Sequence, residues 1–575
     1  MGFLGGFLPR NPAKYLLAAF ILQSVYILSF QHSAKSQAQI QRTTLTKHYS
    51  LGETLAHSSG AEDHGLMGVK VAALADLAGH YLENPSLDTR EVNDVVAQLF
   101  PWWDPAMMEY YPWKRLQSWK ERIVSSVIES SSKAGTGPHT GIVMSVMDSF
   151  AKEAAHLIGS LRNVHGCRLP IAIAYMGDDD LGSRTREFLR RRAEDISFID
   201  LTAVFDQDLV HLEGYAIKPF ALLASPYPRT ILMDADAVFF ANPDNLFDEY
   251  PGLRDTGALF FHDRNINSGS DRHDWLERQL EAAGHPPSAY LNESSLFYRR
   301  YSSEEADAAV VCVDKSRVGL YMAVLFTCWM NTKEVRDLST FRVWHGDKES
   351  YWVATELMGV PYAFEPWYAA RLSQSQETGI QLLMDDEHEW KKQHPGLSGE
   401  TAWDDGGSDL QQQSETPPPE HSSCTLHMAH SDAWGIEPLW ANGALWYDKG
   451  NKDHGLGNWT HWYLGDRVHA VLEAYPDLKS DGSGDISTGN DNNDESDDDA
   501  AKKRQEEVEQ KILATQPEWL FMDWPRDYTT CFKRDHSRWR QLSPDFRYRL
   551  ERMQDEVRRV EIEYEIEMGE REGDD

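Results

Sequence analysis

Asp234 and Asp236 stand two residues apart, directly after the apolar run Ile231-Leu232-Met233 and directly before a second, Ala237-Val238-Phe239-Phe240. Two carboxylates at i and i+2 on the carboxyl edge of a parallel strand offer hard oxygen ligands to a divalent cation. A cation held there can bridge a diphosphate lying in the crevice beyond the strand ends. An isolated Asp-x-Asp usually marks a turn or a solvated loop, but exposed loops rarely carry apolar runs on both flanks. Lys218 lies in the helix-like stretch just upstream, within reach of such a diphosphate; a snorkelling surface lysine is the alternative reading. The acids of Gly177-Asp178-Asp179-Asp180 offer a second metal site in principle. Their position after a strand favours a helix N-terminal turn, where carboxylates satisfy free amides and the positive end of the dipole. His262-Asp263-Arg264 closes another apolar strand and should border a cleft, unless Asp263 and Arg264 simply pair with each other.

The elements that must position these groups are legible as a change of period. From Thr140, short apolar runs at 142–146, 171–175, 196–201 and 230–233 alternate with helix-like stretches at 150–164, 181–193 and 215–224. Strands and helices alternating at this spacing predict a parallel sheet covered on both faces. Residues 67–132 show helical periodicity (Val69, Val71, Leu74, Leu77, Leu82) and a Trp/Tyr cluster, and predict a helical subdomain on the main body. Tracts 401–420 and 478–500 have no core-forming pattern and are expected to be disordered. The stretch 537–572 is long, charged and poorly amphipathic, and reads as a solvated helix.

Composition narrows the function classes. The chain has 575 residues, 56 Lys+Arg against 91 Asp+Glu and a formal charge of −35, which argues against a nucleic-acid partner. Residues 477–500 carry 9 acids against one lysine, and 551–575 carry 11 acids against 4 bases, so much of the excess lies outside the expected core. A mean hydropathy of −0.54 excludes a polytopic membrane protein. Residues 15–30 form one apolar run after Arg10 and Lys14. At 1.5 Å per residue it spans about 24 Å, short of a bilayer core of about 30 Å but within what a thin membrane accommodates. It reads as an uncleaved signal anchor that leaves a cytosolic tail at 1–14 and sends the rest into the lumen; a cleaved signal peptide is the rival. Residues 31–66 read as a stem. The five cysteines, Cys167, Cys312, Cys328, Cys424 and Cys531, show no Cys-x-x-Cys spacing. Cys312, in an apolar strand, should be a buried free thiol.

Several segments in ordered succession carry a family resemblance. They include Gly141-Ile142-Val143-Met144, Gly177-Asp178-Asp179-Asp180-Leu181, Ala216-Ile217-Lys218-Pro219-Phe220, the Asp234/Asp236 strand, His262-Asp263-Arg264, Val313-Asp314-Lys315-Ser316-Arg317 and Gly346-Asp347-Lys348-Glu349. Across roughly residues 100–447 the chain resembles the fungal Golgi alpha-1,3-mannosyltransferases. The resemblance implies an α/β fold of the GT-A nucleotide-sugar-binding type, with a mostly parallel central sheet. It implies a catalytic domain over 139–475, beside which the periodicity and composition set a helical subdomain over 67–138, an acidic disordered segment at 476–503, long for the family, and a helical extension over 504–575.

It also implies a Golgi type II membrane protein that transfers mannose from GDP-mannose to a glycan acceptor, with Mn²⁺ as cofactor, and it leaves room for a complex with other glycosyltransferases. Asp234 and Asp236 are implied as ligands of metal and donor; Lys218, Arg264 and Lys348 as donor-binding; Asp347 and Glu349 as the groups nearest the transferred sugar. His430 is implied as a third metal ligand, with a structural imidazole, or neighbouring His427, as alternatives. Retention through a nucleophile or through same-face attack stays open. One departure stands out: the family's acidic-Ser-Gly step is here Asp307-Ala308-Ala309. Loss of that glycine keeps a non-catalytic lumenal glycan-binding relative in view, and a transferase of the same fold using a UDP-sugar is the alternative that the donor base would discriminate.

Overall fold

The computed structural model describes residues 60–84, 90–114, 139–263, 272–300, 302–373, 422–425, 427–447, 452–464, 530–533 and 539–569. All fall within a unit spanning Ser59–Asp575. The expected tail, anchor, most of the stem, both low-complexity tracts and Arg264 lie outside the described residues. Among the described residues no helix is long and apolar enough to cross a membrane.

Helix α1 (His64–Glu83) buries Met67, Val71, Leu74, Leu77 and Ala78, three of them expected from the periodicity, and is followed by α2 (Arg90–Leu99). It starts inside the stretch read as stem, because His64 is itself fully buried with its Nε2 at 3.2 Å from Thr340 Oγ1. The aromatic cluster after α2 packs onto the main body. Trp102 sits 5.1 Å from Phe220, and Trp113 meets Tyr321 edge-on at 5.5 Å.

The four predicted strands form as β1 (Thr140–Ser145), β2 (Ile171–Tyr175), β3 (Ile196–Asp200) and β4 (Arg229–Met233). Between them run α3 (Ala151–Gly159), α4 (Ser183–Arg190) and α5 (Ile217–Ala224), as the alternation requires. These strands are parallel, and β1 and β4 read as unbroken apolar runs because helices or neighbouring strands cover both faces. The chain then lays down β5 (Ala237–Phe239), β6 (Ala258–His262), α6 (Arg272–Ala283), β7 (Ala306–Asp314), α7 (Val318–Met330), α8 (Ser350–Leu357) and β8 (Ala363–Phe364). The main sheet has the order β3-β2-β1-β4-β7-β6-β8, with β7 antiparallel to both neighbours. Successive strands step outward from β1 to β3, then the chain returns to place β4 on the other side of β1. That reversal opens a crevice at the carboxyl ends of β1 and β4, the usual ligand position in such sheets.

A second sheet, ordered β15-β13-β9-β11-β12-β5, is antiparallel throughout. It is built from β5, β9 (Ala370–Ser373), β11 (Met428–Ser431), β12 (Pro438–Asn442), β13 (His461–Tyr463) and β15 (Trp539–Gln541). Strands β10 (Ser422–Thr425) and β14 (Thr530–Lys533) pair with each other.

The C-terminal helix α9 (Pro544–Gly569) differs from the expectation of a solvated element. It buries Phe546, Leu550, Met553, Val557 and Val560. It packs against α3 so closely that a Cβ on Gly159 would fall 2.4 Å from Glu556 Oε1. Lys152 and His156 of α3 meet Glu561 at 2.9 and 3.0 Å. Met553→Ala therefore lowers unfolding free energy by about 2–5 kcal/mol, the range for emptying a buried aliphatic site. Chemical denaturation checks this, and a solvated helix would show almost no change.

Candidate active site

The Asp-Ala-Asp segment is the corner at which the chain leaves one sheet for the other. Asp234 N–H donates to Ala309 O at 2.8 Å, so the β4–β7 ladder extends into the first aspartate. Ala237 N–H donates back to Asp234 O at 3.1 Å and closes the turn. The main-chain oxygen of Asp236 accepts from Gly443 N–H at 3.2 Å and from Ala444 N–H at 2.6 Å, just past β12. One aspartate is thus fixed by the first sheet and the other by the second, and both remain partly exposed at the mouth of the crevice.

Lys218, one residue into α5, reaches Asp234 Oδ1 at 3.2 Å and Asp347 Oδ1 at 3.5 Å, and its ammonium lies 3.4 Å from Ala308 O. It is a site residue here, not a snorkelling one. Burial opposes its charge, but Asp234 and Asp347 outweigh this, with Asp307 contributing, and hold it protonated well above the ordinary lysine range. At the other end of α5, the buried Lys315 donates to Leu222 O and Ser225 O at 2.9 and 2.6 Å. Burial pulls the Lys315 amine down to about 7. Asp347 is presented by Gly346, whose φ of 68° is left-handed and whose Cβ, if present, would lie 2.8 Å from the Tyr215 ring. Tyr351 Oη donates to Asp347 Oδ2 at 2.7 Å and fixes its rotamer.

Asp234 and Asp347 therefore share one ammonium, and Asp236 adds its charge beside Asp234. Burial pushes Asp234 up to about 7, against the pull of Lys218 and with the charges of Asp236 and Asp347 adding to the rise. A site with surplus negative charge and two hard oxygen donors at i, i+2 suits a dication, and Asp234 and Asp236 are the residues that would hold it. The Ala308-Ala309 step leaves this arrangement intact. Its carbonyls receive Lys218 and the Asp234 amide although the β6–β7 register shifts beside it, and neither alanine has a positive φ, so no glycine is required there.

Other expected residues point elsewhere. Lys348 binds Asp263 at 2.6 Å and also Glu304, which in turn holds Arg272 at 2.7 Å. Asp263 thus pairs with Lys348. Glu349 is turned inward and fully buried, which corrects the expectation that it faces the sugar. Its carboxylate receives the amides of Glu305 and Ala306 at 3.1 and 3.2 Å and Trp352 Nε1 at 2.5 Å. Burial pushes it up to about 8, opposed by Lys348 and these N–H groups. Glu349 clamps the start of β7, and Glu349→Ala costs about 1–3 kcal/mol of stability through the orphaned amides, measured by denaturant titration.

His430 is likewise not brought to the aspartate corner. The ring is fully buried in β11, stacked on Trp440 at 4.0 Å. Its Nδ1 lies 2.5 Å from Glu365 Oε1 and its Nε2 3.4 Å from Asp307 Oδ2. Burial lowers its basicity, but the two carboxylates outweigh that and raise it to about 9, so it is an imidazolium at neutral pH. Asp307 also accepts from Ala309 N–H at 2.9 Å, and its pKa is lowered because His430 outweighs burial. Glu365–His430–Asp307 is a buried charge chain beneath the cleft. Two of its members, Glu365 and Asp307, were not among the expected site residues. His427 is buried against Trp459, with ring centroids 4.7 Å apart. His262 stacks on Phe364 with its Nδ1 3.2 Å from Glu305, and its main-chain N–H donates to Glu365 Oε1 at 3.1 Å, while Asp263 faces Lys348.

The acids at 178–180 behave as a turn. Asp180 Oδ2 accepts from Met176 N–H at 2.8 Å and Asp178 meets Arg186 at 2.7 Å. Among the described residues, three converging ligand atoms occur at His273, Asp274 and Glu277, where Arg300 already sits 2.5 Å from Asp274.

Residues 139–397 match the family described as "Mannosyltransferase putative". Among curated relatives, "Putative alpha-1,3-mannosyltransferase MNN15" of Candida albicans is 25% identical over 328 residues, covering 46% of this chain and 41% of that protein. "Alpha-1,3-mannosyltransferase MNN1" of Saccharomyces cerevisiae is 24% identical over 279 residues, covering 40% and 35%. The chain thus spans less than half the length of these relatives. Of solved structures, the mannosyltransferase Ktr4p from S. cerevisiae aligns at 13% identity over 51% of this chain and 82% of that one, with a TM-score of 0.26, a likeness too slight to bear weight. Through residues 139–397, which contain Lys218, Asp234, Asp236, Asp307 and Asp347, the chain matches the family described as "Mannosyltransferase putative" and is similar to the fungal alpha-1,3-mannosyltransferases.

Proposed function

We propose that the protein transfers mannose from GDP-mannose to a mannose hydroxyl of an N- or O-linked glycan, forming an alpha-1,3 bond with retention, as a signal-anchored enzyme of the Golgi lumen. The observation that carries this reading is the convergence of Lys218, Asp234 and Asp347 at the carboxyl end of β4, beside Asp236, within the family region. A divalent cation, Mn²⁺ in this proposal, supplies charge neutralisation to the departing GDP when bound to Asp234 and Asp236. The chain's own residues do the remainder. Lys218 is held charged and aimed at the same point, so it offers a fixed positive donor to the diphosphate with no reorganisation at the moment of transfer. Asp347, locked by Tyr351 and Gly346, orients the sugar, and the buried Glu365–His430–Asp307 chain keeps the floor of the cleft rigid.

The cavity that touches Asp236, lined also by Glu153, His156 and Ser160, has a volume of about 10 Å³ and admits one water. A nucleotide sugar does not fit there, and in this proposal it meets the site from the open side, where Lys218 and Asp234 expose 12% and 24% of their side chains. Donor identity is tested by equilibrium binding of GDP-mannose, UDP-glucose, UDP-galactose and UDP-N-acetylglucosamine, each with Mn²⁺ and with chelator. GDP-mannose binding that chelator abolishes is expected. Preference for a UDP-sugar, or binding of no nucleotide sugar, contradicts the proposal.

A further inference from the structure

The five cysteines fall into two groups. Cys167, in the loop before β2, Cys312 in β7 and Cys328 in α7 are buried free thiols. Cys424 and Cys531, 107 positions apart in sequence, lie in β10 and β14, and the antiparallel register sets them directly opposite each other. Opposed residues of an antiparallel pair have Cα atoms about 4.5–5.5 Å apart, within the 4.4–6.8 Å range that disulfides span. β10 and β14 pair with each other over four residues as a two-stranded ribbon, one strand on either side of the acidic tract at 477–500. Two strands brought together across so long and polar an excursion lose much chain entropy on pairing, and a two-stranded ribbon is marginal unaided.

We propose that Cys424 and Cys531 form a disulfide that closes the loop carrying β11, β12 and β13. The loop holds His430 and the amides of Gly443 and Ala444 that anchor Asp236, so the bond staples the back of the candidate site to the C-terminal segment leading into α9. It forms by thiol–disulfide exchange. Each thiol gives up a proton and its sulfur joins the other, and the two electrons pass to an oxidised dithiol protein or glutathione disulfide, which leaves reduced. The bond belongs to an oxidising compartment and does not depend on which sugar is transferred.

The test is a thiol map of the full chain secreted from a eukaryotic host, alkylated under denaturing conditions and digested without reduction. A peptide pair joined through Cys424 and Cys531, with Cys167, Cys312 and Cys328 alkylated, is expected. Recovery of Cys424 and Cys531 as alkylated thiols, or of either bonded to another cysteine, overturns the proposal. Melting of the wild type and of a Cys424→Ser/Cys531→Ser double variant, with and without reductant, is a second arm. Reductant should lower the wild-type Tm by several degrees to that of the double variant and leave the double variant unmoved. An equal fall in both also overturns it, and the thiol map stands if the variant fails to fold.

Discussion

Asp234→Asn lowers the rate of mannosyl transfer by about 10²–10³-fold, the cost of removing one preorganised electrostatic group from a transfer site. The substitution preserves volume and leaves an amide oxygen that accepts from Lys218, so the geometry of α5 and β4 survives. What is lost is the negative charge. Its effect on stability runs the other way. Asp234 sits among the like charges of Asp236 and Asp347, which raise its pKa along with burial. Removing one of three carboxylates leaves Tm unchanged or slightly higher, the mark of a site selected for function at some cost in stability. Activity within tenfold of wild type, or a variant that unfolds, would contradict this assignment.

The second large effect is structural. His430→Ala destabilises the fold by about 3–5 kcal/mol, the range for removing one partner of a buried ionic group. The two carboxylates it pairs, Glu365 and Asp307, then lose their shared positive partner in a buried site walled by Phe261 and Trp440. The pH dependence follows from the sign of the shift. A histidine raised from its ordinary 6.5 to about 9 contributes stability that is complete below about pH 6.5 and fades as pH rises through 9. Stability that declines over that window in wild type, and more weakly in His430→Ala, is the expected pair of curves. A histidine serving as a metal ligand would behave otherwise: its loss would spare the metal-free protein and weaken Mn²⁺ binding.

The doubly covered sheet was readable because β1 to β4 are short unbroken apolar runs at regular spacing, a pattern that survives without knowledge of partners. The C-terminal helix was not, and the reason is instructive. Phe546, Leu550, Met553, Val557 and Val560 step by four, three, four and three, a seam of the kind that packs on another helix. The surrounding acids and arginines drown that seam in any average over the segment.

At the site, residue type and position singled out Asp234 and put Lys218 within reach of it, since a strand end and the helix before it fix where such groups must go, whereas Asp347 came only through the family resemblance. The direction of a side chain is a different matter. Asp347, Lys348 and Glu349 are consecutive, yet one faces Lys218, one faces Asp263 and one clamps β7 from below. Glu365 is a single acid and Glu304 one of a run, neither with a spacing signal, and the fold brings them to His430 and Lys348. Asp307 was visible beside the altered Ala308-Ala309 step, but its role depends on a histidine 123 residues further along the chain.

The most direct measurement is transfer itself: the full chain with GDP-mannose, an alpha-mannobiose acceptor and Mn²⁺, the product linkage read by NMR, alongside Asp234→Asn and Asp236→Asn. The account predicts an alpha-1,3-linked mannotriose that chelator abolishes and neither variant makes at more than about one hundredth of the wild-type rate. Transfer from a UDP-sugar in its place, or product formed equally by the aspartate variants, would contradict it.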